Sequence, residues 1–320
     1  MKIGILGAGA LAIALTKVLE DREHDLTLWT KFEAEKMDIE HSRENTKLFP
    51  GVRISEDIKI TNDISEAVVG ADVIINVLPF IAVKDTIELL RPIYNKEQII
   101  LSTTKGIDEE SFITSTELLE QGLGATKVAA LSGPSFAIEI ANKENISFML
   151  GSKDEETLNV VKDLLAIDSI KIVSTDDVKG IQLAGGIKNA IAVGSGMLFG
   201  LNAADSTKAA YLASGMADMA KLMALLGGKK ETTYTYAGIG DLILTCMSST
   251  SRNFTFGSYI GQGFSVEQAF EKMGKKTVEG YKVIRTLHKY IKENNVKVYT
   301  IDTLYNIIFE NGNVKQIKKI

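Results

Sequence analysis

The chain is poor in residues that staple, chelate or interrupt. It has one cysteine, Cys246, which excludes an intrachain disulfide. Its three histidines, His24, His41 and His288, are scattered, and no Cys/His cluster has metal-ligand spacing, so no metal is expected. No apolar run reaches membrane-spanning length, which argues against insertion into a bilayer. The N-terminus enters a strand directly instead of offering a charged segment, an apolar core and a cleavage site; cytoplasmic location is the default expectation. Positive charge is also short. A net charge of -5 argues against a nucleic-acid surface but leaves room for a local basic pocket that binds a phosphorylated metabolite.

What the chain does have is enough apolar material for a sizeable core: 45% of its 320 residues are hydrophobic against 24% charged, and the length suggests two domains. Lys2 to Leu6 reads as a short strand, Gly7-Ala8-Gly9-Ala10-Leu11-Ala12 as a glycine turn, and Ile13 to Glu20 as a helix. Strand, glycine turn and helix in that order form a dinucleotide signature. Gly7 permits the tight turn, Gly9 lets the backbone approach a pyrophosphate, and Ala12 stands at the third, packing position, where alanine is a recognised variant. The second strand, Asp25 to Trp29, ends in Thr30-Lys31, where an NAD-selective site would often carry an acid. Lys31 could instead meet a 2′-phosphate, which favours NADP(H) while leaving NAD(H) possible.

Residues 32 to 61 read as polar and irregular. Strands follow at Asp72 to Leu78, Gln98 to Leu101, Val128 to Leu131, Ile146 to Leu150 and Ile170 to Val173, with helices between them. In a doubly wound sheet the loops after the carboxyl ends of strands line the ligand crevice, which would place Lys105 there, and Ser132 to Ala137 forms another loop rich in backbone donors. Alternation stops near Asp177 and the remainder is helical. The expected fold is therefore an α/β Rossmann-like doubly wound sheet, residues 1-178, followed by an all-α domain, residues 179-320.

Within the helical half, Lys179 to Leu198 contains no proline, and its apolar residues surround most of a helical projection, so it reads as a buried helix. Lys188 on that helix is costly unless used, and desolvation beside another cation would make it a proton donor near neutral pH. Asp241, among Ile239, Leu242 and Ile243, needs a cation, with Lys188 and Lys105 the candidates. Ser251-Arg252-Asn253 groups a hydroxyl, a guanidinium and an amide suited to phosphate oxygens, although the same residues could cap a helix. Small residues between Ala184 and Gly228 would allow close helix packing, as in dimeric helical domains; a homodimer is the expected assembly.

Gly7-Ala8-Gly9, Thr104-Lys105-Gly106, Leu131 to Ala137, Gly186-Ile187-Lys188-Asn189, Gly240-Asp241-Leu242 through Thr245-Cys246, Ser251-Arg252-Asn253 and Val278-Glu279-Gly280 together resemble the NAD(P)-dependent glycerol-3-phosphate dehydrogenases, in family order. The resemblance implies interconversion of sn-glycerol 3-phosphate and dihydroxyacetone phosphate, a small phosphorylated substrate, in support of glycerophospholipid synthesis. It makes Lys188 the proton-transferring lysine, with Lys105, Asn189, Asp241 and Thr245 around the reacting carbonyl. Arg252 and Asn253 become the phosphate clamp, with Ser251 beside them, and Gly133 and Ser135 substrate-contacting positions. Ala10, Leu11, Lys31, Lys105, Ala137, Arg252, Thr277 and Glu279 fall near the cofactor, with Gly7 and Gly9. Departures are Ala10-Leu11-Ala12 for the family's usual Ser-Trp-Gly, Ser214-Gly215 for Arg-Gly, and Phe254-Thr255 for a basic pair. Two alternatives differ in chemistry. A ketopantoate or 3-hydroxyacid reductase would share the cofactor loop and a lysine without needing a phosphate clamp, and a non-enzymatic NAD(P)-sensing protein would gain nothing from Lys188, Lys105 and Asp241 together.

Overall fold

The computed structural model describes residues 1–274 and 277–320. They form two compact units, one comprising residues 1–105 and 114–178, the other 106–113 and 179–320.

The first unit is built on an eight-stranded sheet: β1 (Lys2–Leu6), β2 (Asp25–Trp29), β3 (Lys59–Thr61), β4 (Val73–Asn76), β5 (Ile99–Ser102), β6 (Val128–Ser132), β7 (Ile146–Ser152) and β8 (Ile170–Thr175). Their spatial order is β3-β2-β1-β4-β5-β6-β7-β8. All pairings are parallel except β6 with β7, where Leu131 faces Leu150. The central strands β1, β4 and β5 are buried from Ile3, Val73 and Ile99 to their ends, as expected of parallel strands covered on both faces. Strand order reverses between β1 and β4, so the turn after β1 opens at the topological switch point, where a doubly wound sheet takes its ligand.

The stretch 32 to 61, expected to be irregular, holds a helix, Glu33–Ser42, and the strand β3. Both have little apolar signal. The helix buries only Ile39, and β3 is three residues long with Ile60 and Thr61 buried.

The second unit is helical and centres on the long helix Val178–Gly200, whose residues 180 to 198 are all buried. Against it lies the helix Arg252–Gly261, and the two approach through an interlock of glycines. A Cβ on Gly196 or Gly200 would strike the carbonyl oxygen of Phe254 or Ser258, and one on Gly257 or Gly261 that of Val193 or Met197. Thus Gly196 and Gly200, part of the small-residue density read as a possible dimer feature, serve packing inside this chain. Leu183, Ile187, Ile191, Phe256 and Ile284 belong to the same apolar core, where each such side chain contributes roughly 1.5–3 kcal/mol by leaving water. No helix among the described residues is long and apolar enough to cross a membrane.

Candidate functional site

The first unit presents backbone. Gly7 has φ +115°, a conformation that side-chain-bearing residues rarely adopt, and its N–H donates to the Trp29 carbonyl at 2.9 Å, fastening the turn beside the end of β2. Gly9 is the N-cap of the helix Ala10–Leu19, which has no side-chain cap and no acid in its first turn. Its first N–H groups therefore lack an internal partner, while the helix dipole favours an anion in front of them. A Cβ placed on Gly9 would meet nothing within 4 Å; the space before the turn is open. Turn, switch point and uncapped helix together fit the pyrophosphate of a dinucleotide.

Beside the turn, Leu11, Lys105, Gly133, Ser135 and Ala137 line one pocket together with Thr103 and Ser132. The sequence motifs thus bring five of the expected site residues to a common concavity. Ser132 is buried and its hydroxyl has no partner, and the same holds for Asn76 Oδ1 at the end of β4. Orphaned polar atoms of this kind are uncommon and suit a missing polar ligand. Ala10 is half-buried at the start of the helix, and Lys31 is exposed past the end of β2.

The second unit presents side chains. Lys188 Nζ donates to Asp241 Oδ1 at 2.5 Å and to Thr245 Oγ1 at 2.7 Å, and the Thr245 hydroxyl lies 3.3 Å from Asp241 Oδ1. Lys188 is 6% exposed and Asp241 1%. The expensive carboxylate is answered by the expensive ammonium. Asp241 and Thr245 share a face because they stand four residues apart on the helix Asp241–Met247. That helix follows a wide π turn, Tyr236–Gly240, an irregularity often found at functional sites.

One residue along, Asn189 Nδ2 donates to Glu279 Oε2 at 3.0 Å and Asn189 Oδ1 accepts from Asn253 Nδ2 at 2.9 Å. Asn253 Oδ1 in turn accepts the Gly280 N–H at 2.8 Å. This amide chain ties the Lys188 helix to the starts of Arg252–Gly261 and Glu279–Glu293. Ser251 serves as N-cap of Arg252–Gly261, accepting from the Phe254 N–H, while Arg252 and Thr277 are exposed. The helix-cap reading of Ser251 is therefore realised in this structure.

Cys246 is buried, and burial pushes its thiol up to about 12, so it supplies no thiolate at neutral pH. No group of three or more His, Cys, Asp or Glu among the described residues could hold a metal ion.

Sequence reasoning missed Asn45 and Glu35. Asn45 is 1% exposed and donates to the Ala8 carbonyl in the glycine turn. Nothing in the local pattern marks either residue, since both lie in the stretch without apolar periodicity.

Comparison with known proteins gives a consistent result. Residues 2–158 match the family model described as NAD-dependent glycerol-3-phosphate dehydrogenase N-terminus, and residues 177–319 match its C-terminus. The glycerol-3-phosphate dehydrogenase [NAD(P)+] of Listeria innocua is 32% identical over 318 residues, covering 98% of this chain and 94% of that protein. The crystal structure of glycerol-3-phosphate dehydrogenase from Coxiella burnetii superimposes with a TM-score of 0.94 at 27% identity, covering 99% of this chain and 97% of the other. A ketopantoate reductase from Ralstonia eutropha covers 100% of this chain and 99% of its own, but its TM-score of 0.61 at 16% identity shows a shared fold alone.

Proposed function

This chain belongs to the NAD-dependent glycerol-3-phosphate dehydrogenase family, and from that premise we propose that it interconverts dihydroxyacetone phosphate and sn-glycerol 3-phosphate with NAD(P)H, dividing the work between its two units. The observation that carries the reading is the buried contact of Lys188 with Asp241 and Thr245.

In the first unit, Gly7, Gly9, Ala10 and Leu11 would hold the dinucleotide, with Lys105 and Ala137 from neighbouring loops and Lys31 available to a 2′-phosphate. The bound nicotinamide supplies or accepts the hydride. Lys188 stabilises the negative charge that builds on the carbonyl oxygen during reduction and gives it a proton; in the reverse direction it takes the hydroxyl proton. Asp241 and Thr245 hold its ammonium in one direction and offset its burial. A sensor would gain nothing from such a pair, because a buried ion pair is costly to keep.

Arg252 and Asn253 form the phosphate clamp, with Ser251 shaping the helix start from which they project; Thr277 and Glu279 add cofactor-side contacts, and Gly133, Ser135 and Asn189 substrate contacts. Asn253 and Asn189 are held by each other, whereas the exposed Arg252 guanidinium is positioned to meet a phosphate from solvent. The proposed setting is the cytoplasm, at the entry to glycerophospholipid synthesis. A homodimer is the proposed assembly, supported by exposed Phe199 and Met247 on the helical unit.

The test is the rate of NADH and NADPH oxidation with dihydroxyacetone phosphate beside non-phosphorylated dihydroxyacetone. Phosphate-dependent oxidation supports the reading, and equal rates overturn it in favour of another reductase. Arg252→Ala should raise KM for the phosphorylated substrate by the equivalent of about 1.5–3 kcal/mol, the range for hydrogen bonds to charged groups. Its melting temperature should hardly move, since the side chain is exposed.

A further inference from the structure

Resting on the reading that the first unit holds the dinucleotide, we infer that Glu35 is the acceptor for the adenosine ribose and the residue that restrains use of a 2′-phosphorylated cofactor. A Rossmann site selective for NAD places a carboxylate at the end of its second strand, where it accepts from the ribose 2′-hydroxyl; a 2′-phosphate in the same place faces a like charge. In this chain that position is Thr30-Lys31 and carries no acid. The structure delivers one from the following helix.

Glu35 lies in the first turn of Glu33–Ser42, and one of its carboxylate oxygens accepts from the Thr30 hydroxyl. The other accepts from Asn45 Nδ2 at 2.9 Å. Asn45 also donates to the Ala8 carbonyl at 2.9 Å, and its own Oδ1 accepts from the Leu48 N–H at 2.9 Å. Gly7 is meanwhile bound to Trp29, the residue before Thr30. The carboxylate is thus tied to both landmarks of the adenosine side, the end of β2 and the glycine turn.

Thr30 and Asn45 are 2% and 1% exposed, so both tethers are shielded from competing water. Each carboxylate oxygen has a second acceptor direction, so Glu35 can take a ribose hydroxyl without releasing its partners. Lys31, which acts in the opposite sense, is exposed and its field is screened by water and salt. Cofactor choice in this chain is a balance between an exposed cation and a tethered anion.

Calorimetric titration of the full chain with ADP-ribose and with 2′-phospho-ADP-ribose tests this without turnover. Glu35→Gln keeps the shape and an acceptor but removes the charge. It should bind the 2′-phosphorylated fragment about tenfold more tightly, as expected for relief of a like-charge contact, and ADP-ribose a few-fold more weakly. Equal change in both affinities, or none, overturns the proposal and leaves Glu35 as a brace for Asn45. Glu35→Asp retains the charge and controls for altered packing: its preference should stay near that of the unmodified chain, and a shift as large as in Glu35→Gln would also overturn the assignment. If the unmodified chain binds neither fragment, the dinucleotide reading itself falls, and the role of Glu35 with it.

Discussion

The two units solve opposite problems. At the glycine turn of the first, the groups offered to a ligand are main-chain N–H groups, and what matters most is the room in front of Gly9. Around Lys188 in the second, the groups are side chains drawn out of water, and what matters is that Lys188, Asp241 and Thr245 satisfy one another. An anion such as pyrophosphate is well served by many weak dipoles spread over a backbone. A proton must leave from one atom, which demands a side chain held in one direction. Function in the first unit should therefore be separable from stability, and function in the second should be entangled with it.

The largest effect that would sharpen this contrast is loss of turnover in Lys188→Ala, expected at about 10² to 10⁴, the usual worth of a positioned proton donor. Fluorescence titration with NADH should show cofactor binding nearly intact. A proportional loss of both would break the contrast by tying Lys188 to the cofactor.

Next in size is the stability cost of Asp241→Leu, which leaves the Lys188 ammonium buried without its carboxylate: about 3–5 kcal/mol by chemical denaturation. Combining it with Lys188→Met should restore much of that stability while the protein stays inactive. If the double variant is no more stable than the single one, the pair is not the entangling element.

The smallest effect is expected from Gly9→Ala. Its backbone, φ −71° and ψ −179°, is open to any residue, and the added methyl meets empty space. Stability should change by no more than about 1 kcal/mol, the scale of an N-cap exchange. NADH affinity should nevertheless fall roughly tenfold, about 1.4 kcal/mol. A large loss of stability would erase the distinction between the units.

The same contrast explains how much was legible in the sequence. The strands β1, β4 and β5 announce themselves as apolar runs, and the Val178–Gly200 helix as a proline-free segment apolar all round. That Asp241 needs a cation could be anticipated from cost alone, with Lys188 one of two candidates, since each is an ionic group set among apolar residues; the fold selects Lys188. The amide chain of Asn189, Asn253 and Gly280 could not, because uncharged polar groups impose no comparable demand until their neighbours in space are known. Glu35 and Asn45 were hidden for a further reason. They lie on a solvent-facing helix and the loop after it, where periodicity carries no message, and only the tertiary approach to Thr30 and Ala8 gives them a shared task.

The glycine interlock between Val178–Gly200 and Arg252–Gly261 has an evolutionary consequence. A side chain at Gly196, Gly200, Gly257 or Gly261 would collide with main-chain oxygen, which no substitution on the opposing helix can trim away. Drift at these positions has no single-step compensation on the opposing helix, so the crossing itself stays frozen while positions away from the contact and the site are under no such constraint.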